Sequence, residues 1–234
     1  MRPRTVFLDW GGTLAQPPLE FREPWTVWRR VLAAHRHPVA EPRLRRALDA
    51  TTRELGPRIY DYLGRTPEYW RVHDQRVMDL LRIRESRGPI EDGIQRVFDD
   101  PSLVVLYPEA RTVLTALRDR GYRTGIVSNH HEGLLRVVDH HGLRPLVDTV
   151  TFSQEARAEK PDPRIFALAL RRAGCAASEA VHVGDSLRAD VEGARGAGLR
   201  PVWLNRSRSE GSPGCPTIAS LDELLPLLDA GGPP

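Results

Sequence analysis

The sequence predicts an α/β protein, a doubly wound parallel sheet interrupted near its start by an all-helical insertion. Two observations carry this. Between Tyr107 and Leu228, short β-branched or aromatic runs alternate with amphipathic helical stretches. Strands that alternate with helices in this way build parallel sheets with right-handed crossovers. Between the first such run and the others, from about Glu20 to Pro101, apolar residues recur only at helical spacing.

In order along the chain, Arg4 to Leu8 reads as a buried strand that ends at Asp9 and enters a tight loop at Gly11-Gly12. The insertion repeats its apolar residues as Trp25, Trp28, Val31, Leu32, then Leu44, Ala47, Leu48. The pattern continues with Tyr69, Val72, Val77, Leu80, Leu81, then Ile94, Val97, Phe98. Prolines and glycines separate these groups, which gives about four helices. After Tyr107-Pro108 the expected order is a helix from Glu109 to Arg120 and a strand from Tyr122 to Val127 ending at Ser128-Asn129. A helix from His131 to His141 and a strand from Val147 to Phe152 come next. A helix from Pro163 to Ala173 is closed by Gly174, and a strand from Ala180 to Val183 ends in Gly184-Asp185. A helix from Ala189 to Ala197, a strand from Pro201 to Leu204, a Ser/Gly/Pro-rich loop from Arg206 to Pro216 and a helix from Leu221 to Leu228 complete the chain. The terminal Gly231-Gly232-Pro233-Pro234 is expected to fray.

The bulk composition excludes several classes. The 234 residues are 40% hydrophobic and 28% charged, within the range of globular proteins. No apolar run approaches the roughly 20 residues that cross a bilayer, and Asp9 halts Val6-Phe7-Leu8 before it becomes a signal peptide. Cys175 and Cys215 make neither a disulfide framework nor a metal cluster, so a reducing, cytoplasmic location is expected. The net charge is only +3, and the largest basic group, Arg43, Arg45 and Arg46, has the spacing of a solvated helix face; no nucleic-acid partner follows. Of the 34 basic residues only Lys160 is a lysine. An ammonium is a compact point charge that a guanidinium does not replace, which marks Lys160 as a candidate for chemistry.

Ligands of open α/β sheets sit beyond the carboxyl ends of the strands. Asp9, Ser128 and Asp185 stand at those ends and Lys160 in the loop after another strand. Two carboxylates and a main-chain carbonyl suit Mg²⁺, while a hydroxyl and an ammonium can hold phosphoryl oxygens. An aspartate nucleophile that forms an aspartyl-phosphate is an established covalent route.

The motifs that carry these residues are Asp9-Trp10-Gly11-Gly12-Thr13-Leu14, Ile126-Val127-Ser128-Asn129, Lys160-Pro161-Asp162-Pro163, and Gly184-Asp185-Ser186 with Asp190 five residues beyond Asp185. In this order the chain resembles the haloacid dehalogenase superfamily over nearly its whole length. The resemblance implies a Rossmann-like catalytic core at 1–18 and 102–234 and a helical cap domain at 19–101. It makes Asp9 the nucleophile and a ligand of Mg²⁺, with the Gly11 carbonyl and Asp185 as further ligands. Asp190 would support the metal or contact Lys160. Ser128 would bind the phosphoryl group and Lys160 would neutralise it together with Asp9. Gly12, Thr13 and Asn129 would shape the loop and the phosphate site. The implied substrate is a small phosphorylated metabolite, with no membrane partner and a monomer or homodimer as the working form.

At Gly11 the sequence departs from the family's phosphatases, which carry a second aspartate there as general acid and base. Such help is typically worth roughly 10²–10⁴-fold. One reading keeps the phosphatase and draws the proton from His130, His131 or His73. A second, phosphonate cleavage, needs a cap lysine that the sequence lacks. A third is a haloacid dehalogenase, which also lacks the second aspartate but has no acidic fourth motif. A fourth is a weak phosphate-binding or regulatory protein. Trp25, Trp28 and Trp70 read as helix core and Trp10 borders the loop. Arg22, Arg29 and Arg71 are candidates to meet an anion, with i, i+4 pairing as their ordinary alternative.

Overall fold

A computed structural model describes residues 3–16, 23–211 and 213–230. Arg22, Glu20, the expected domain boundary at 18/19 and the tail from Gly231 to Pro234 lie outside the described residues. The chain divides into two compact units. One comprises Met1–Gln16, Val104–His130 and Leu134–Pro234; the other comprises Pro17–Leu103 and His131–Gly133.

The first unit is a parallel sheet covered on both faces. Its strands are β1 (Thr5–Leu8), β4 (Arg123–Ser128), β5 (Thr149–Phe152), β6 (Ala180–Gly184), β7 (Arg200–Leu204) and β8 (Thr217–Ile218), in the order β5-β4-β1-β6-β7-β8. A separate antiparallel ribbon pairs β2 (Ala15–Gln16) with β3 (Val105–Leu106). Alternation within β1 sets the two layers, because successive side chains leave opposite faces of a strand. Val6 and Leu8 join Ile126, Val181, Val183 and Val202 in a core closed by helices Ala110–Asp119, Gly133–His140 and Leu224–Asp229. Phe7 and Val127 enter the opposite core with Ile165, Phe166 and Ala169 of helix Pro163–Ala173. The doubly wound α/β fold is the one the sequence predicts. Gly125 lets β4 pack there: a Cβ would lie 2.7 Å from the Phe7 ring and 2.5 Å from Thr149 Oγ1.

Three details differ from expectation. The helix expected from His131 starts at Gly133, the last of three residues that belong to the other unit. The helix expected from Ala189 to Ala197 opens as a π-helical turn, Leu187–Glu192, before Gly193–Gly196. The amides of both Asp190 and Val191 converge on the Ser186 carbonyl, at 2.9 and 3.2 Å, and widen the turn. Strand β8 is two residues long, too short for periodicity to register.

The second unit holds helices Pro24–Ala34, Glu41–Leu55, Thr66–Leu80 and Arg87–Phe98, packed around Trp28, Leu32, Leu44, Met78, Ile90 and Ile94. Val72, an expected apolar position, is exposed. Glu132 accepts the amides of Gly64 at 2.7 Å and Thr66 at 3.1 Å, which places a carboxylate at a helix start, where the orphan N–H groups favour an anion. Among the described residues no helix is long and apolar enough to cross a membrane.

Candidate active site at the strand ends

The topology brings the motif residues together. β1 lies between β4 and β6, with Leu8 level with Ile126 and Val183. The residues that follow therefore emerge side by side: Asp9 after β1, Ser128 at the end of β4, and Gly184-Asp185 at the end of β6. The Asp9 amide continues the ladder to the Val183 carbonyl at 2.9 Å. Lys160 reaches the same place from the loop between β5 and helix Pro163–Ala173. Asn129 fixes that loop, because its Oδ1 accepts the Lys160 amide at 2.7 Å and its Nδ2 donates to the Lys160 carbonyl at 3.1 Å.

At the centre, Lys160 Nζ donates to Asp9 Oδ1 at 2.5 Å and to Asp190 Oδ1 at 2.6 Å, with all three residues buried. His182 Nε2 lies 2.9 Å from the same Asp190 oxygen, and the Ser186 amide donates to Asp190 Oδ2 at 3.0 Å. Burial pushes the Asp9 carboxyl up to about 6, against the pull of Lys160 and with Asp190 and Asp185 adding their repulsion. Burial acts on Asp190 too, yet Lys160 and His182 outweigh it and hold this carboxyl far below the usual range. For Lys160 burial favours the neutral amine, but the two aspartates overcome it and keep the ammonium charged. Asp185, more exposed at the rim, is raised first by lost solvation and then by Asp190.

Two glycines make room for these carboxylates. At Gly12, φ is +79° and a Cβ would stand 2.2 Å from Asp185 Oδ2; at Gly184 a Cβ would stand 2.1 Å from Asp190 Cγ. Nothing lies within 4 Å of a Cβ built on Gly11. Thr13 is fully buried and its hydroxyl has no hydrogen-bond partner among the described residues.

Sequence reasoning missed two contributors. His182 stood in the apolar strand Val181-His182-Val183, and its polar interruption was the available signal. Arg206 follows the last long strand, where the sequence marks only the start of a loop; its guanidinium donates to the carbonyls of Gly12 and Thr13. Other candidates make contacts of their own. His73 pairs with buried Asp74 at 3.1 Å inside the helical unit. His131 packs edge-on against Trp70, and its Nδ1 accepts the Gly133 amide. The His130 carbonyl accepts Ser153 Oγ at 3.0 Å. Trp10 and Trp28 are buried in their cores, whereas Trp25 is half-buried between Arg29 and Arg45. Arg71 pairs with Glu91 at 2.8 Å, so the partner is a neighbouring helix and not an i, i+4 residue.

One carboxylate oxygen each from Asp9, Asp185 and Asp190 lies within 4.8 Å of the others. An all-oxygen donor set of this kind fits a hard divalent cation such as Mg²⁺. Asp9 and Asp185 are the better placed to hold it, since both oxygens of Asp190 already accept protein donors.

These features define a doubly wound α/β protein whose strand ends gather carboxylates around a buried ammonium. The family model described as haloacid dehalogenase-like hydrolase matches residues 3–198. Over 170 residues the chain is 31% identical to haloacid dehalogenase-like hydrolase domain-containing protein 3 of Bos taurus, covering 69% of this chain and 68% of that protein. It is 42% identical over 102 residues to a phosphoserine phosphatase of Thermus thermophilus, covering 43% of this chain and 41% of that protein. A crystal structure of a 2-haloacid dehalogenase from Pseudomonas syringae superposes with a TM-score of 0.76 at 23% identity over 98% of this chain and 100% of that one, a likeness of fold. The chain belongs to the haloacid dehalogenase-like hydrolases.

Proposed function

We propose that this hydrolase is a Mg²⁺-dependent phosphatase of small phosphorylated metabolites, with Asp9 as nucleophile and residues 19–101 as its cap domain. The observation that carries the reading is the pairing of buried, charged Lys160 with Asp9 at 2.5 Å and Asp190 at 2.6 Å, beside the acidic Asp185. Asp9, Asp185 and the Gly11 carbonyl would hold the cation, which when bound supplies charge compensation for the transferred phosphoryl group. The ammonium of Lys160 neutralises Asp9 and stays protonated while it donates to a phosphoryl oxygen. Ser128, buried at the end of β4, offers its hydroxyl to a second oxygen. Asp9 attacks phosphorus, the ester oxygen leaves, and water later hydrolyses the acyl phosphate on Asp9. Gly11 has no side chain to protonate the leaving group, so good leaving groups are favoured.

The same glycine supports a second reading, a 2-haloacid dehalogenase in which Asp9 displaces halide from carbon. Asp185 and Asp190 count against it, because a halide-displacing carboxylate needs no acidic partners. A panel of phosphate esters with Mg²⁺, run beside 2-haloacids with a chelator, separates the two. Phosphate release that is abolished in Asp9→Asn supports the phosphatase; metal-independent halide release with no phosphate release rejects it.

A further inference from the structure

Arg206 makes contacts that a solvent-facing arginine does not. Its Nε donates to the Gly12 carbonyl at 3.1 Å, Nη2 to the Thr13 carbonyl at 2.8 Å and Nη1 to Glu109 Oε1 at 2.7 Å. Its Cζ stacks 3.5 Å from the centroid of the Tyr107 ring. Tyr107 in turn donates its amide to the Leu14 carbonyl at 3.0 Å. One guanidinium therefore binds both the loop after Asp9 and the chain that returns through β3.

That loop needs an external hold. It contains two adjacent glycines, one at φ +79°, and glycine loses more freedom on ordering than any other residue. In a planar trans peptide the carbonyl and the following N–H point in opposite directions. With the Gly12 and Thr13 carbonyls turned to Arg206, the N–H groups of Thr13 and Leu14 face the other way. Both meet the Trp10 carbonyl, at 3.4 and 2.9 Å. The Ala15 amide joins them at 2.9 Å, while the Gly12 amide donates to the Ala15 carbonyl at 2.8 Å. The fork thus sets which side of the loop carries donors and which carries acceptors. A lysine offers no planar fork for two successive carbonyls and a carboxylate. Charge-assisted bonds of this geometry are roughly twice as strong as neutral ones.

We propose that Arg206 is a positioning residue for Asp9: its guanidinium clamps the Gly12 and Thr13 carbonyls against Glu109 and Tyr107 and so fixes the loop that aims the carboxylate. The consequence for turnover rests on the phosphatase reading; the consequence for loop order does not.

The test compares wild type with Arg206→Lys, with the milder Glu109→Gln, and with Arg123→Gln. Arg123 also donates to a main-chain carbonyl, that of Ala173, but at the opposite end of β4. In hydrogen exchange, residues 10–15 of Arg206→Lys should exchange at least ~10-fold faster, a difference that a loss of about 1.4 kcal/mol in opening free energy produces, while β4 and β7 keep their protection. Glu109→Gln should move the same peptide in the same direction by less. With a phosphate ester and Mg²⁺, Arg206→Lys should lower kcat by roughly 10–100-fold, the range a misplaced reacting group produces, with KM nearly unchanged. Arg123→Gln should alter neither. Unchanged exchange at 10–15 in both Arg206→Lys and Glu109→Gln overturns the proposal. So does faster loop exchange with full kcat. If wild type turns over no phosphate ester, the phosphatase reading fails by itself and the exchange comparison still decides the role of Arg206.

Discussion

Replacing Lys160 with methionine is the perturbation that asks most of the site. The side chain stays unbranched and apolar, one atom shorter, but loses the charge between Asp9 and Asp190. Both carboxylates are buried, and Asp9 is already raised to about 6 with the ammonium in place. Breaking a buried pair by removing one partner typically costs about 3–5 kcal/mol, because the remaining charge is left uncompensated. For a chain of this size that corresponds to a fall in Tm of roughly 6–20 °C. The sign with pH follows from the shifts. Asp190 is lowered, so its contribution is present above the ordinary carboxylate range and lost as pH falls through its folded value. Lys160 is raised, so its contribution persists until pH climbs past its folded value, above 10.5. The penalty is thus larger at neutral pH than in acid, where Asp9 takes up a proton. Thermal unfolding followed by circular dichroism in chelator, at neutral and acidic pH, reads this directly. Mg²⁺ added to the variant should recover part of the loss, since a cation between Asp9 and Asp185 offsets the same charge. A change in Tm of less than about 2 °C at neutral pH would refute the reasoning.

Three further outcomes follow from the same geometry. Asp9→Asn should abolish turnover yet stabilise the metal-free protein. Raising Asp9 from 3.8 to about 6 makes stability fall as pH rises through that window, by up to about 3 kcal/mol at 1.36 kcal/mol per unit. Urea unfolding in chelator above and below that window checks it; no gain above it contradicts the cost of burying the Asp9 charge, to which Asp190 and Asp185 add. Gly11→Asp should raise kcat for esters with poor leaving groups by roughly 10-fold or more, as general acid help does. The site has room for the new Cβ, and an unchanged rate would mean that another group already supplies the proton. Gly12→Ala should weaken Mg²⁺ binding at least ~10-fold by calorimetry, because displacing the group that holds a ligand commonly costs 10–100-fold in affinity. Its Cβ would collide with Asp185 Oδ2 at 2.2 Å.

Much of this was legible in the sequence because parallel strands, buried on both faces, read as continuous apolar runs that stop at acidic residues. Val6-Phe7-Leu8-Asp9 and Val181-His182-Val183-Gly184-Asp185 both show it. Lys160 stood out because it is the chain's single lysine. What escaped was whatever depends on pairing across long sequence separations. Arg206 lies 194 residues from Gly12, and nothing local to Asn205-Arg206-Ser207 marks its side chain as a clamp. His182 was hidden by its position inside a strand, since a period-2 pattern registers a polar residue but not the Asp190 carboxylate it meets. The π turn at Leu187–Glu192 escaped for a similar reason: helical periodicity continues through it while Ser186 and Asp190 reshape its hydrogen bonds. The exposed Val72 shows the converse, an apolar residue whose spacing fits a core that tertiary packing does not extend to it.

The central claim is that Asp9 takes the phosphoryl group. The measurement is the intact mass of the protein, quenched in acid within the first turnover of an activated phosphate ester and Mg²⁺, followed by mapping of the modified peptide. One phosphoryl group on the peptide that contains Asp9, absent from Asp9→Asn and from wild type in chelator, is the predicted result. Steady release of phosphate from Asp9→Asn at the wild-type rate, or a phosphoryl group found on another residue, would contradict the account.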